Sequence, residues 1–293
     1  MKKGSKNTQY LEWAAMAILL FGTLRLTKNW TLVENLKPST TGEQYLMFAG
    51  IIVMSFTALA VHELGHLITG LLQGFRFELF VVGHLGIKRE DDRIKIYLNK
   101  NLGYYGGVAA TSPVGDDPKN ALKLARVLLA GPLASLLFAG FCFLSAYWAG
   151  KPLGFSFYVG GVISIAIFFA TTVPSRTGMF FTDRKRFQRL VLPGKDREVE
   201  LAMLNILGKF AKDNSYKNID RRDIDVLVAD DLAFVKFMGY FNLICYQLEH
   251  DGVVDAEVEQ QYQLVSKEMS TNMVLLFDRE IEKYREKLAL TVE

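Results

Sequence analysis

The sequence predicts an α-helical integral membrane protein with about four transmembrane helices, a small membrane-face β-hairpin region and a helical cytosolic C-terminal domain. Three observations predict it. Half of the 293 residues are hydrophobic while 22 % are charged, so a very apolar part must be joined to a polar one. Four apolar runs, at about 11–27, 45–72, 122–148 and 155–173, have the length a bilayer's hydrocarbon core requires, roughly 20 residues. Beyond about residue 191 the pattern changes, and Leu201, Leu204, Leu207 and Phe210 recur at helical spacing in a polar background. The expected layout is a membrane-embedded core over 1–190 and a soluble helical part over 191–293. The net charge of +3 is too small to argue for nucleic acid. Cys142 and Cys245 make no disulfide framework, being two thiols far apart in sequence.

The first run follows a basic start, Lys2, Lys3 and Lys6. A secretory signal peptide is the competing reading, but no small-x-small cleavage site follows, so a retained span is expected. Residues 28–44 read as a polar connection containing Pro38 and Gly42. The second run carries no charge from Tyr45 to Val61 and then reaches His62-Glu63-Leu64-Gly65-His66. Histidines four apart on a helix lie about 40° apart around the axis and about 6 Å along it. Two imidazoles so placed can close on one zinc ion, with Glu63 beside them as general base. The bland alternative is a chance match forming a polar packing cluster between helices. Against it, the chain has four histidines and two of them fall in this pentapeptide inside an apolar span. Ionisable groups at bilayer depth usually mark a bound ion or a functional path.

Alternation from Phe75 to Val81 reads as a strand. Residues 84–89 and 93–97 read as two more, joined by a turn at Glu90-Asp91-Asp92. The glycine-rich run 103–107 follows, then a turn at Pro113-Val114-Gly115. A small sheet beside the zinc helix would offer a strand edge to an extended substrate, with Gly106 and Gly107 as candidate substrate-positioning residues. An ordinary connecting hairpin explains the same pattern. The third span contains Ala130-Gly131-Pro132-Leu133-Ala134-Ser135, small residues that let helices approach closely in lipid. A turn at Lys151-Pro152-Leu153-Gly154 makes a hairpin with the fourth span, which Pro174 breaks. In the C-terminal part, breaks are expected at Asp213-Asn214-Ser215, at 220–225 and at Gly252. Lysine and arginine cluster at the start, in 76–123 and in 176–189, which places both termini in the cytoplasm of a cell-membrane protein.

Over about residues 45–192 the sequence resembles the site-2 protease family of intramembrane zinc metalloproteases. The resemblance rests on His62-Glu63-Leu64-Gly65-His66 in one span, Ala130-Gly131-Pro132 in a later one, and Pro174 followed by Asp183 after the next. It implies a three-helix core and a third zinc ligand from an aspartate beyond the last core helix, where Asp183 is the matching position. It implies hydrolysis of membrane-anchored protein or peptide substrates, in regulated intramembrane proteolysis or signal-peptide processing. The chain departs from the family in two places. Arg184 follows Asp183 where glycine is often found, and Thr171-Thr172-Val173-Pro174 stands where Asn-x-x-Pro is common. Thr171 is therefore a candidate substrate-positioning residue only as a partial substitute for that asparagine. On residues alone, Asp183 also reads as an N-cap or first-turn acid, with Thr182, at the start of a basic interfacial helix, and Asp116, Asp117, Glu78 and His84 stay open as the third ligand. A second functional reading is a non-catalytic, zinc-stabilised membrane protein that binds membrane peptides or partners. Residues 191–293 are expected to serve a cytosolic partner or self-association. A transporter is disfavoured by too few spans and no inverted repeat.

Overall fold

The structure, a computed structural model, describes residues 35–290 except 91–92 and 178–179, together with Ala17 and Phe21. The expected first span at 11–27 therefore lies outside the described residues apart from those two positions, as does the expected turn at Asp91-Asp92. The described chain is mostly helical, and three of its helices are long and apolar enough to cross a membrane. It divides into two compact units, one made of the residues up to Gln73 with Phe77–Thr111 and Leu124–Gln188. The other is made of Gly74–Arg76, Ser112–Lys123 and Arg189–Glu293.

In the first unit, α1 (Thr41–Leu72) begins at a capping box. Glu43 N–H donates to Thr40 Oγ1 at 3.2 Å, and the Glu43 carboxylate accepts from the Ser39 and Thr40 amides. The polar connection expected before the span thus supplies its start signal. The 32 residues of α1 extend about 48 Å, longer than the hydrocarbon core, so the helix must tilt or project. Leu46, Phe48 and Val53 are exposed on it. Such an apolar surface would be a liability in water and is what lipid requires.

A four-stranded sheet follows, with strand order β3-β2-β1-β4. Its strands are β1 (Arg76–Val82), β2 (Leu85–Glu90), β3 (Arg93–Leu98) and β4 (Val108–Ser112). The pairs β1–β2 and β2–β3 are antiparallel, in register at Val82↔Leu85 and Glu90↔Arg93. The strand at 108–112 is an addition to the expected three. Its small residues carry no alternation that would have revealed it. Phe80 and Val82 pack on Leu67 with Leu59 and Ala60, so β1 lies along α1. Gly83, at the β1–β2 turn with φ +57°, sits so close to Phe56 that a Cβ there would come within 2.6 Å of the ring.

Helices α2 (Asn120–Trp148) and α3 (Leu153–Thr172) complete the apolar set. Glycines set how closely these helices approach: Gly65 faces Ala130 and Ala134, Gly50 faces Ser156, and Gly160 faces Met54. After Pro174 come two-residue strands β5 (Arg176–Thr177) and β6 (Phe180–Phe181), paired antiparallel, and then α4 (Asp183–Val191).

In the second unit, α5 (Lys195–Asp213), α6 (Arg221–Val228), α7 (Ala233–His250), α8 (Ala256–Ser266) and α9 (Thr271–Leu290) form a helical bundle. Phe237 on α7 is fully buried, stacked on Tyr262 and edge-on to Phe277. Buried Arg189 is paired with Glu200 at 2.9 Å and Asp196 at 2.7 Å. Asn214, with φ 50°, ends α5 as expected. The break expected at 220–225 is corrected to a cap: Asp220 Oδ1 accepts from Arg222 N–H at 2.9 Å, and α6 starts there. Of residues 220–225 only Asp220 interrupts the helical path, since Arg221 to Asp225 lie inside α6.

Candidate metal centre

His62 and His66 lie one turn apart on α1, and both are buried together with Glu63. Their rings are nearly perpendicular, with centroids 4.9 Å apart, and this brings the two Nε2 atoms to 3.3 Å. What orients the rings is α2. Val127, Gly131 and Ser135 are spaced by four and so share one face of that helix. His66 Nδ1 donates to the Val127 carbonyl at 2.7 Å, and His62 Nδ1 lies 2.9 Å from Ser135 Oγ. Gly131 leaves the room for this, because a Cβ at that position would collide with the His66 ring. Gly65, inside the motif, does the same for the backbone: a Cβ there would come within 2.7 Å of the Ala130 carbonyl oxygen.

The third group comes from the start of α4. Asp183 Oδ2 is 3.3 Å from Nε2 of both histidines. That oxygen is buried and, among the described residues, its close polar neighbours are these two ring nitrogens. A carbonyl can only accept, so the Val127 contact places a proton on His66 Nδ1, and in the neutral ring Nε2 keeps its electron pair. Two imidazole nitrogens and a carboxylate oxygen at mutual distances of 3.3 Å then face one another. A proton on one nitrogen would relieve one contact, whereas a cation relieves all three. Bonds of about 2.0–2.1 Å in tetrahedral geometry give ligand–ligand edges of about 3.3 Å, so this donor set fits a zinc-sized ion.

Among the described residues, His62, His66 and Asp183 are the one group of such side chains close enough to share an ion. Asp116, Asp117, Glu78 and His84, left open by the sequence, are not in it. Strand β4 and the turn before it meet Glu63. The Ala109 backbone N–H donates to the Glu63 carboxylate. Gly107, with φ +99°, lies so close that a Cβ would fall 2.7 Å from Glu63 Oε1. Gly106 is exposed and has no such neighbour. The Thr171 hydroxyl donates within its own helix, to the Ile167 carbonyl at 3.1 Å or that of Phe168 at 3.3 Å.

Sequence reasoning passed over Ser135 and Ala109. The signal for Ser135 was its four-residue spacing from Gly131, which matches that of the two histidines. Groups that orient metal-binding histidines typically contribute a factor of about 10–100 in metal affinity. Ser135→Ala is therefore expected to weaken metal binding by about that factor while the protein stays folded. Competition with a chromophoric chelator measures it.

Fold and site together define a membrane protein with a buried two-histidine, one-carboxylate centre beside a glutamate, the arrangement of a metalloprotease. The model of peptidase family M50 matches residues 47–284, and the chain belongs to that family, the site-2 proteases. Membership makes it a membrane metalloprotease by class. No curated protein and no solved structure matches the chain.

Proposed function

We propose that the protein is a zinc-dependent intramembrane endopeptidase that hydrolyses peptide bonds of membrane-anchored substrates. The observation that carries this reading is the convergence of His62 Nε2, His66 Nε2 and Asp183 Oδ2 at 3.3 Å beside buried Glu63. Zinc held there would supply a water of lowered pKa and polarise the scissile carbonyl. Glu63 takes the proton from the attacking water and delivers it to the leaving amine. Its hydrogen bond from Ala109 N–H holds the carboxylate in place. Gly107 keeps that approach open, and neighbouring β4, an outer strand of the sheet, is a platform for an unwound substrate segment. Helical substrates must unwind before cleavage, since their peptide groups are otherwise hydrogen-bonded within the helix.

The protein would sit in the cell membrane with both termini cytoplasmic, as the distribution of lysine and arginine suggests. The bundle at 191–293 is assigned to a cytosolic partner or to self-association. The test is removal and return of the metal. Protein reconstituted in lipid vesicles with a transmembrane peptide should lose cleavage on chelation and regain it when zinc, but not magnesium, is restored. Cleavage that survives complete zinc removal would sink the proposal.

A further inference from the structure

Asp183 reaches the two histidines from a segment that a proline and a hairpin separate from α3, so something must fix where that segment stands. Pro174 cannot continue the helix. Val173 adopts an extended conformation, and β5–β6 intervene before α4. At the base of this excursion is Thr182. Its backbone carbonyl accepts the first bond of α4, from Arg186 N–H at 2.9 Å, which makes it the residue that opens the helix. A threonine there ordinarily turns its hydroxyl onto the new helix. This one turns it back.

Thr182 Oγ1 donates to the Val173 carbonyl at 2.9 Å and accepts from Ser175 N–H at 3.1 Å. Thr182 N–H donates to the Ser175 carbonyl at 3.1 Å. One residue thereby ties the end of α3 to the start of α4 and closes the loop that carries the hairpin. Val173 C=O is among the carbonyls a helix end leaves without an internal partner, so the hydroxyl meets a real need. Asp183 is the next residue along the chain.

We propose that Thr182 is a positioning residue for the metal centre, its hydroxyl setting the place of the Asp183 carboxylate against His62 and His66. A ligating group has to be held to within about 0.5 Å of its working position. A loop free to open at its base does not hold it so. The inference rests on the metal reading of Asp183, and the experiment separates the two.

Zinc affinity is measured on the full chain in detergent micelles, by competition with a chromophoric chelator, for Thr182→Val, Thr182→Ser, Asp183→Asn and the double variant Thr182→Val/Asp183→Asn. Thr182→Val keeps the shape and loses the hydroxyl, and it should weaken zinc by about 10–100-fold. Thr182→Ser keeps the hydroxyl and should restore binding. In the Asp183→Asn background, Thr182→Val should cost nothing further, because the group it positions is gone. Wild-type affinity in Thr182→Val, or an equal loss in both backgrounds, overturns the proposal. Unchanged affinity in Asp183→Asn alone overturns the metal reading instead. Should Thr182→Val fail to fold, Thr182→Ala is carried through the same cycle and read in the same way.

Discussion

Glu63→Gln should leave zinc bound and lose proteolysis. The substitution keeps the shape of the side chain, and its amide oxygen can still accept from Ala109 N–H, so the packing of Gly107 and β4 against it survives. None of the three converging ligand atoms belongs to residue 63. What disappears is the group that takes and returns a proton. General acid–base groups contribute about 10²–10⁴-fold, so single-turnover cleavage of a transmembrane peptide should fall by roughly that much. Zinc content, measured on the same preparation, should not change. Cleavage at the wild-type rate would mean that Glu63 is not the base. Loss of zinc along with activity would mean that it helps hold the ion.

Gly131→Ala is expected to produce the opposite pattern, a folded protein that cannot keep its metal. The added methyl would occupy the space of the His66 imidazole. The ring must then swing away, breaking its 2.7 Å hydrogen bond to Val127 and moving Nε2 out of the triad. Affinity for zinc should drop on the order of a hundred-fold or more, since a ligand and its orienting bond are disturbed together. Alanine favours a helix interior over glycine by about 1 kcal/mol, so α2 itself has no reason to weaken. Zinc stoichiometry after dialysis against a weak chelator, read beside a thermal melt, distinguishes this from general destabilisation. Wild-type zinc retention in Gly131→Ala would show that the helices separate freely enough to absorb the methyl.

What could be read in the sequence was whatever depends on local spacing. Two histidines four apart need only a helix to meet, and the uncharged run before them needs only a bilayer to explain it. The first strand announced itself by alternation, and the next two by the charged turn between them. Strand β4 did not, because Val108-Ala109-Ala110-Thr111-Ser112 offers small residues and no contrast between faces. The role of Gly131 was half visible: small residues in a span suggest close packing, but not that the neighbour is an imidazole. Ser135 looked like one more small residue until α1 was placed against it. Asp183 was reachable only through the family resemblance, since 116 residues lie between it and His66, and nothing local marks it as a partner. Residues 220–225 show the converse error, a charged stretch expected to break the helices of which only Asp220 does so, by starting α6.

Of the three converging atoms, two come from one helix and the third from a segment far along the chain, and this bears on how the protein is made. Synthesis from the N-terminus completes His62 and His66 more than a hundred residues before Asp183. Until the later helices have been threaded in and Thr182 has tied its loop, the two imidazoles alone are a poor trap for an ion. On the proposed reading, hydrolysis starts only once Asp183 has joined the two histidines.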